Sequence, residues 1–364
     1  MKFDYFLKYH PTRQDGGDVM TSHNWKALTP IWTGDADRKS DRLIPTGLMG
    51  SLRWWFEVLV RGLGGKACDP TSPARCPHPD VKEPTKPGHH CVVCELFGCT
   101  GWARKFRMMV LDEHYNVIQN QINADQIFIL RFIPLRPIYP EEWCLLDCTL
   151  RIIAEYGAIG GRTVLKPSDE LNRQNALHHK DYGLIQYISG PENWHCEKTR
   201  EDLKNYVGRQ RWRNDQNREH DFSWTSFQNF WCVKGRYLAR KNADESTFNQ
   251  VVGRAPSKRC KDCNQVHSPR QKCPKTERHP RRYSDDNPTD PISAWLAGRQ
   301  QESKKVFSFK HPQEGGRTFG FIKPDIMGFE EIKRRLQQAW PDLKDSEFLT
   351  GEEILQRLWG GTRP

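Results

Sequence analysis

Residues 44–65 read IPTGLMGSLRWWFEVLVRGLGG, and the fold turns on what this stretch becomes. Leu48, Leu52, Trp55, Phe56 and Leu59 recur at helical spacing, so the stretch predicts an amphipathic helix. Thr46 is its expected N-cap and Gly64-Gly65 its expected stop. Just before it, NWKALTPIWTG (24–34) has strand composition closed by a glycine. After it, residues 66–101 are rich in Pro, His and Cys and interrupt the pattern. RKFRMMVLD (104–112) and QIFILRFIPLR (126–136) then predict two strands. EEWCLLDCTLRIIAEYG (141–157) predicts a helix with Trp143, Leu146, Leu150 and Ile153 toward a core, and YGLIQYIS (182–189) a closing strand. Strand, helix, strand, strand, helix, strand is the split βαβ order of ferredoxin-like, RRM-like domains.

Further along, FSWTSFQNFWCVKGRYL (222–238) reads as core structure. VFSFK and RTFGFIK read as a strand pair, and FEEIKRRLQQAW and EEILQRLW as amphipathic helices. Residues 240–303 are polar, basic and turn-rich, the character of an insertion. A chain of 364 residues is long for one core and sufficient for two. The expectation is therefore an α+β protein of two ferredoxin-like domains. Residues 1–190 form the first, with a cysteine-rich insertion at 66–101. Residues 191–364 form the second, with a basic, metal-binding insertion at 240–303. No internal sequence repeat is visible.

No stretch approaches the roughly 18 apolar residues of a membrane span. The start, MKFDYFLKYHPTRQ, lacks the apolar core of a signal peptide. The expectation is a soluble protein of the cytoplasm. Its net charge is +11, and the distribution matters more than the sum. Residues 254–282 hold ten basic residues and two acidic ones. A second basic run, GRQRWRNDQNR (208–218), interleaves Arg211, Trp212 and Arg213. Guanidinium and indole groups together suit single-stranded nucleic acid, where phosphates take the charge and bases the flat rings.

Counting Cys99, eight of the twelve cysteines fall in or beside two clusters, a pattern that speaks for metal rather than a disulfide framework. The first is Cys68, Cys76, Cys91 and Cys94, with Cys99, His78, His89 and His90 near enough in sequence to substitute for a ligand. The second is Cys260, Cys263, Cys273 and His279, with His267 inside it. Four thiolates, or three and an imidazole, make a closed tetrahedral site suited to structural zinc. The expected cofactor is one or two zinc ions. The glycines form the third feature. Gly47 and Gly50 open a helix whose amides could meet phosphate, with Arg53 a turn later. Gly160 and Gly161 form a turn just before Arg162.

These residues are recognisable together. LTPIWTGDADRKSDRLIPTGLMGSLRWWFEVLVRG (28–62) followed by CELFGCTGWARKFR (94–107) resembles the first-numbered RAMP-superfamily subunits of the Cmr complex, the type III-B CRISPR effector. GAIGGRT (157–163) resembles that family's second glycine-rich signature. Where relatives continue with an Arg-Gly-hydrophobic-Gly run, this chain has GRTVLKPSDELNRQ instead. The resemblance implies a head subunit near the 3′ end of the guide RNA that helps capture target RNA in antiviral defence. Its partners would be guide and target RNA and the other Cmr subunits, with no membrane or small-molecule substrate. Gly47, Gly50, Arg53, Gly160, Gly161 and Arg162 stand at the matching positions.

The rival class is an endoribonuclease. Related backbone subunits use an aspartate in the loop after the first strand, and Asp35, Asp37 and Asp41 stand in that loop here. RNA cleavage by 2′-hydroxyl attack needs a base for that hydroxyl and an acid for the leaving 5′-oxygen. His23 and the His178-His179 pair are the candidate bases outside the cysteine clusters, and nothing in the sequence brings them together. The expectation is a binding subunit that is not an enzyme.

Overall fold

The computed structural model describes residues 21–34, 39–161, 167–171, 173, 176–177, 179–190, 196–214, 222–241, 246–254, 260, 262–263, 272–278, 290–298, 303–311 and 316–360. Strand β1 (Thr21–Ala27) alternates buried and half-buried residues along its length. It ends before the Thr29-Pro30 pair, earlier than its composition suggests. The Leu28 and Thr29 amides turn aside to the Leu184 carbonyl, and Pro30 has no amide to give. Helix α1 (Pro45–Gly62) starts one residue before Thr46. Its N-cap is Ile44, with Pro45 in the first turn, because the fixed proline φ suits that position. The Ile44 amide donates to Thr33 Oγ1 at 2.9 Å, which ties the helix entry to the chain after β1. Past Gly62 the chain turns through Gly64, whose φ is 89°.

The short α2 (Val92–Phe97) follows, then β2 (Phe106–Leu111), β3 (Ile127–Pro134), α3 (Pro140–Tyr156) and β4 (Ile185–Ser189). On α3, Leu146, Leu150 and Ile153 are buried as their spacing requires, whereas Trp143 is half-buried at the margin. The four strands form one antiparallel sheet in the order β2-β3-β1-β4. After α4 (Arg200–Val207) come β5 (Phe230–Lys234), α5 (Thr247–Val251), α6 (Pro291–Ala297), β6 (Val306–Phe309) and β7 (Arg317–Phe321). The last elements are α7 (Phe329–Ala339), β8 (Phe348–Thr350) and α8 (Gly351–Gly360). The second sheet has the order β6-β7-β5-β8, again antiparallel throughout. The two halves thus repeat one strand topology, although no sequence repeat announces it.

Strand alternation decides the layering. Trp25, Phe106, Phe128, Leu130 and Phe132 of the first sheet share one core with α1 and α3. The same core takes in Phe230, Cys232, Phe319 and Phe321 from one face of the second sheet. Trp55 of α1 marks the junction, its ring 5.8 Å from Phe230 and 5.7 Å from Phe319. The opposite face of the second sheet, with Trp231, Val233 and Val306, closes a separate core with Phe248, Leu296 and Ile332 of α5, α6 and α7. The described residues therefore stack as sheet, helices, sheet, helices. One disulfide, Cys144–Cys196, joins α3 to the segment leading into α4, outside the two cysteine clusters. No helix among the described residues is long and apolar enough to cross a membrane.

Candidate functional site

Between Gly65 and Cys91 the chain has little apolar side chain to bury, and it is held together by its cysteines. The sulfurs of Cys68, Cys76, Cys91 and Cys94 all lie within 4.8 Å of one another. Cys91 is the N-cap of α2 and Cys94 lies on that helix, so two ligands come from a regular element. Cys68 Sγ is 3.9 Å from Cys91 Sγ and 3.7 Å from Cys94 Sγ. Four thiolates about 2.3 Å from a tetrahedral ion sit about 3.8 Å apart, so this donor set fits a metal ion as it stands. Two amides already point at the sulfurs, Cys76 N to Cys68 Sγ at 3.4 Å and Cys91 N to Cys76 Sγ at 3.2 Å. The Cys68 thiol is held well below its ordinary range by hydrogen bonds from Cys76, Cys91 and Cys94. The thiols of those three are pushed up as its donors. A divalent cation bound here would take all four sulfurs as thiolates and release their protons.

Arg53 serves this cluster. Its Nη2 donates to Cys94 Sγ at 3.1 Å, Nη1 to the Gly98 carbonyl at 3.0 Å and Nε to Glu57 at 3.0 Å. Arg61, one helix face along, donates to the Cys68 carbonyl at 2.8 Å. The helix whose pattern decides the fold thus also holds the cysteine loop. Of the alternative ligands, His89 and His90 are engaged elsewhere. Their Nδ1 atoms are 2.8 Å apart, and His90 Nε2 is 2.6 Å from Glu95. Glu95 in turn meets Lys105 at 2.7 Å, and Lys105 meets Glu142 at 2.9 Å. The Tyr206 hydroxyl donates to Glu142 at 2.9 Å. This buried ionic chain ties the cysteine loop to β2, α3 and α4, and no sequence spacing reveals it.

The basic run after α4 packs against the same loop, which corrects its expected role. Trp212 is 3% exposed and its indole donates to the Tyr206 carbonyl at 2.7 Å. Arg213 is buried, its amide bonded to the His90 carbonyl and its Nη1 to the Arg75 carbonyl at 2.9 Å. Neither is available to stack on or pair with RNA; an indole in a polar run here is a plug in the core. Arg211, unlike these two, stays exposed, over the Trp212 ring at 5.2 Å. Residues 215–218 of the run lie outside the described residues.

In the second cluster the sulfurs of Cys260, Cys263 and Cys273 also lie within 4.8 Å of one another. Burial works against the Cys273 thiolate, but hydrogen bonds from the Lys275 backbone, Thr276, Cys260 and Cys263 outweigh it and bring the thiol to about 7. His279, the expected fourth ligand, and His267 lie outside the described residues.

The two glycine-rich turns meet at Trp32 and Thr33. The Gly161 amide donates to the Trp32 carbonyl at 2.8 Å, and the Gly160 amide to Ser51 Oγ at 3.0 Å. A side chain at Gly160, with φ of 116°, would meet the Trp32 carbonyl oxygen at 2.5 Å, and one at Gly47 the Thr33 carbonyl oxygen at 2.9 Å. Both glycines are therefore required by close backbone approach. Gly50 is exposed, with nothing within 4 Å of where its Cβ would stand. Arg162, Asp35, Asp37 and His178 lie outside the described residues; Asp41 is exposed. His23 is buried against Trp25, Phe132 and Tyr187, and burial lowers its pKa to about 4. His179 is buried as well.

No curated protein matches the sequence. Among solved structures, apo Cmr1 from Pyrococcus furiosus aligns with 92% of this chain and 99% of its own at 9% identity, with a TM-score of 0.41. A chain of the type III-B Cmr-beta complex bound to cognate target RNA aligns with 89% of this chain and 99% of its own, also at 9% identity and a TM-score of 0.41. The RAMP superfamily model matches residues 25–165. That span runs from within β1 through α3 and includes both glycine-rich turns, so over residues 25–165 the chain is similar to the RAMP superfamily.

Proposed function

We propose that this chain is a non-catalytic, RNA-binding subunit of a type III-B CRISPR effector complex, helping to capture target RNA near the 3′ end of the guide. The observation that carries the reading is the meeting of two separate glycine signatures on Trp32-Thr33, inside the span matched to the RAMP superfamily. The two turns brace one another through bonds within the protein and so shape one surface beside the helix N-terminus, where the open space at Gly50 suits the approach of a polyanion. On this reading each half is a ferredoxin-like domain, with the boundary near residue 190. The first cysteine cluster holds structural zinc, and so does the second, with His279 completing it. Those sites are closed, so a metal-activated water has no place in them. The partners are guide RNA, target RNA and the neighbouring Cmr subunits in the cytoplasm. Gly47, Gly50, Gly160 and Gly161, with Arg162 and Arg211, are the residues we assign to RNA. The bonds of Arg53 to Glu57, Gly98 and Cys94 move it to the supporting structure.

The test has two arms. Binding of single-stranded RNA by the chain should weaken with salt, with a log–log slope of about −0.7 per phosphate neutralised. A flat response would remove RNA binding from the reading. In the assembled complex, changing Asp35, Asp37 and Asp41 together to Asn should leave target cleavage intact. Loss of one cut with binding preserved would make the acidic loop an active site and the chain an endoribonuclease.

A further inference from the structure

Among the described residues, one face of the first sheet has no element packed across it. Both faces of the second sheet are packed, and so is the helix side of the first. Ser22, Asn24 and Lys26 of β1 point the other way and are half-buried. Their register neighbours on that side include Arg131 of β3, which stands opposite Ser22 and Met109. Arg107 of β2, one alternation further, is exposed. At the end nearest the β2–β3 connection Leu111 and Ile129 are buried; among the described residues the rest of the face has no covering element.

Over this face stands Tyr115, from the tip of that connection. Its φ is 65°, a left-handed conformation that glycine or asparagine adopts far more readily than a bulky residue. The tip is held in place: Asp112 accepts the His114 amide at 2.9 Å and the Asn116 amide at 2.8 Å, and the Tyr115 amide donates to the Asp112 carbonyl at 3.0 Å. Tyr115 is 58% exposed. The Arg131 guanidinium lies 4.7 Å from its centroid, steadied by an Nε bond to Ser22 Oγ at 3.0 Å. A large aromatic ring kept in solvent, at a backbone conformation that disfavours it, contributes nothing to the core. Strain of this kind is a reason to look for function.

We propose that Tyr115 and Arg131, on this face of the first sheet, form a base-stacking platform for single-stranded RNA. Asp125 offsets Lys26 at 2.8 Å, so Arg107 and Arg131 supply the remaining positive charge. Guanidinium groups beside an exposed ring fit a strand whose phosphates need charge and whose bases lie open. A duplex offers no such base face. The inference rests on the RNA-binding reading and adds a second contact region, away from the glycine turns.

The test compares Tyr115→Gly and Tyr115→Phe in the full-length, metal-loaded chain, using a fluorescein-labelled oligouridylate. Tyr115→Gly should bind at least roughly fivefold more weakly, the lower end of the loss on removing one stacking ring. Its melting temperature should equal or exceed that of the parent, because glycine relieves the left-handed φ. Tyr115→Phe should bind as the parent does. Equal binding by parent and Tyr115→Gly overturns the inference while leaving RNA binding elsewhere on the chain intact. If the parent itself binds no RNA, this inference and the RNA-binding reading fail together. If Tyr115→Gly binds RNA normally but loses a co-expressed neighbouring subunit, the face is a protein interface and the platform is wrong.

Discussion

Asp181 sits where the two halves meet. One carboxylate oxygen accepts the backbone amides of Lys310 and His311 at 2.9 and 2.7 Å, while Oδ1 is buried with no hydrogen-bond partner among the described residues. Burial raises the carboxyl from 3.8 to about 7, with those amides and the Lys310 charge pulling part of the way back. The folded chain therefore holds a proton that the unfolded chain has released between about pH 4 and 7, and stability falls as pH rises through that window. Asp181→Asn removes the titration. The variant should match the parent near pH 4 and exceed it near pH 8 by roughly 2–4 kcal/mol, read from denaturant unfolding across pH. Nothing in the sequence marks Asp181, because its shift comes from burial between segments about 130 residues apart. The same holds for Trp212. Its residue type suggests a base-stacking ring, and only the packing of Tyr206 and His90 around it shows otherwise.

Helix α1 was legible almost throughout, since its apolar spacing is local information. Its start was not, because Pro45 and the Thr33 hydroxyl set it from outside the pattern. The cysteine loop was legible for a different reason: metal-ligand spacing survives in sequence where no apolar periodicity exists. That loop and α1 form one mechanical unit through Arg53 and Arg61. Changing Cys91 and Cys94 to Ser should remove one zinc equivalent, measured by elemental analysis of the purified protein. It should also lower the melting temperature by several degrees, the effect expected when a structural metal is lost. Retention of the full metal content in that variant would show that the ion sits elsewhere.

Across the whole molecule, the expected pair of sheets is present, but their stacking was not foreseeable. A strand pattern tells which residues are buried, not which of two sheets buries them. The face of α1 carrying Trp54 and Trp55 packs on Phe230, Phe319 and Phe321 of the second sheet, so the halves share one core. Residues 1–190 expressed alone would expose this aromatic surface and should aggregate, whereas the full chain should unfold in one cooperative transition by calorimetry. A soluble, independently melting N-terminal half would refute the shared core. The layering also governs what evolution can alter. In the second sheet, enclosed on both sides, every position of β5 from Phe230 to Val233 is buried, so substitutions there must conserve volume at each successive residue. In β1, only every second residue answers to the core. Among descendants of a common ancestor, the first sheet should drift with a period of two, at Ser22, Asn24 and Lys26, while the second stays uniformly slow to change.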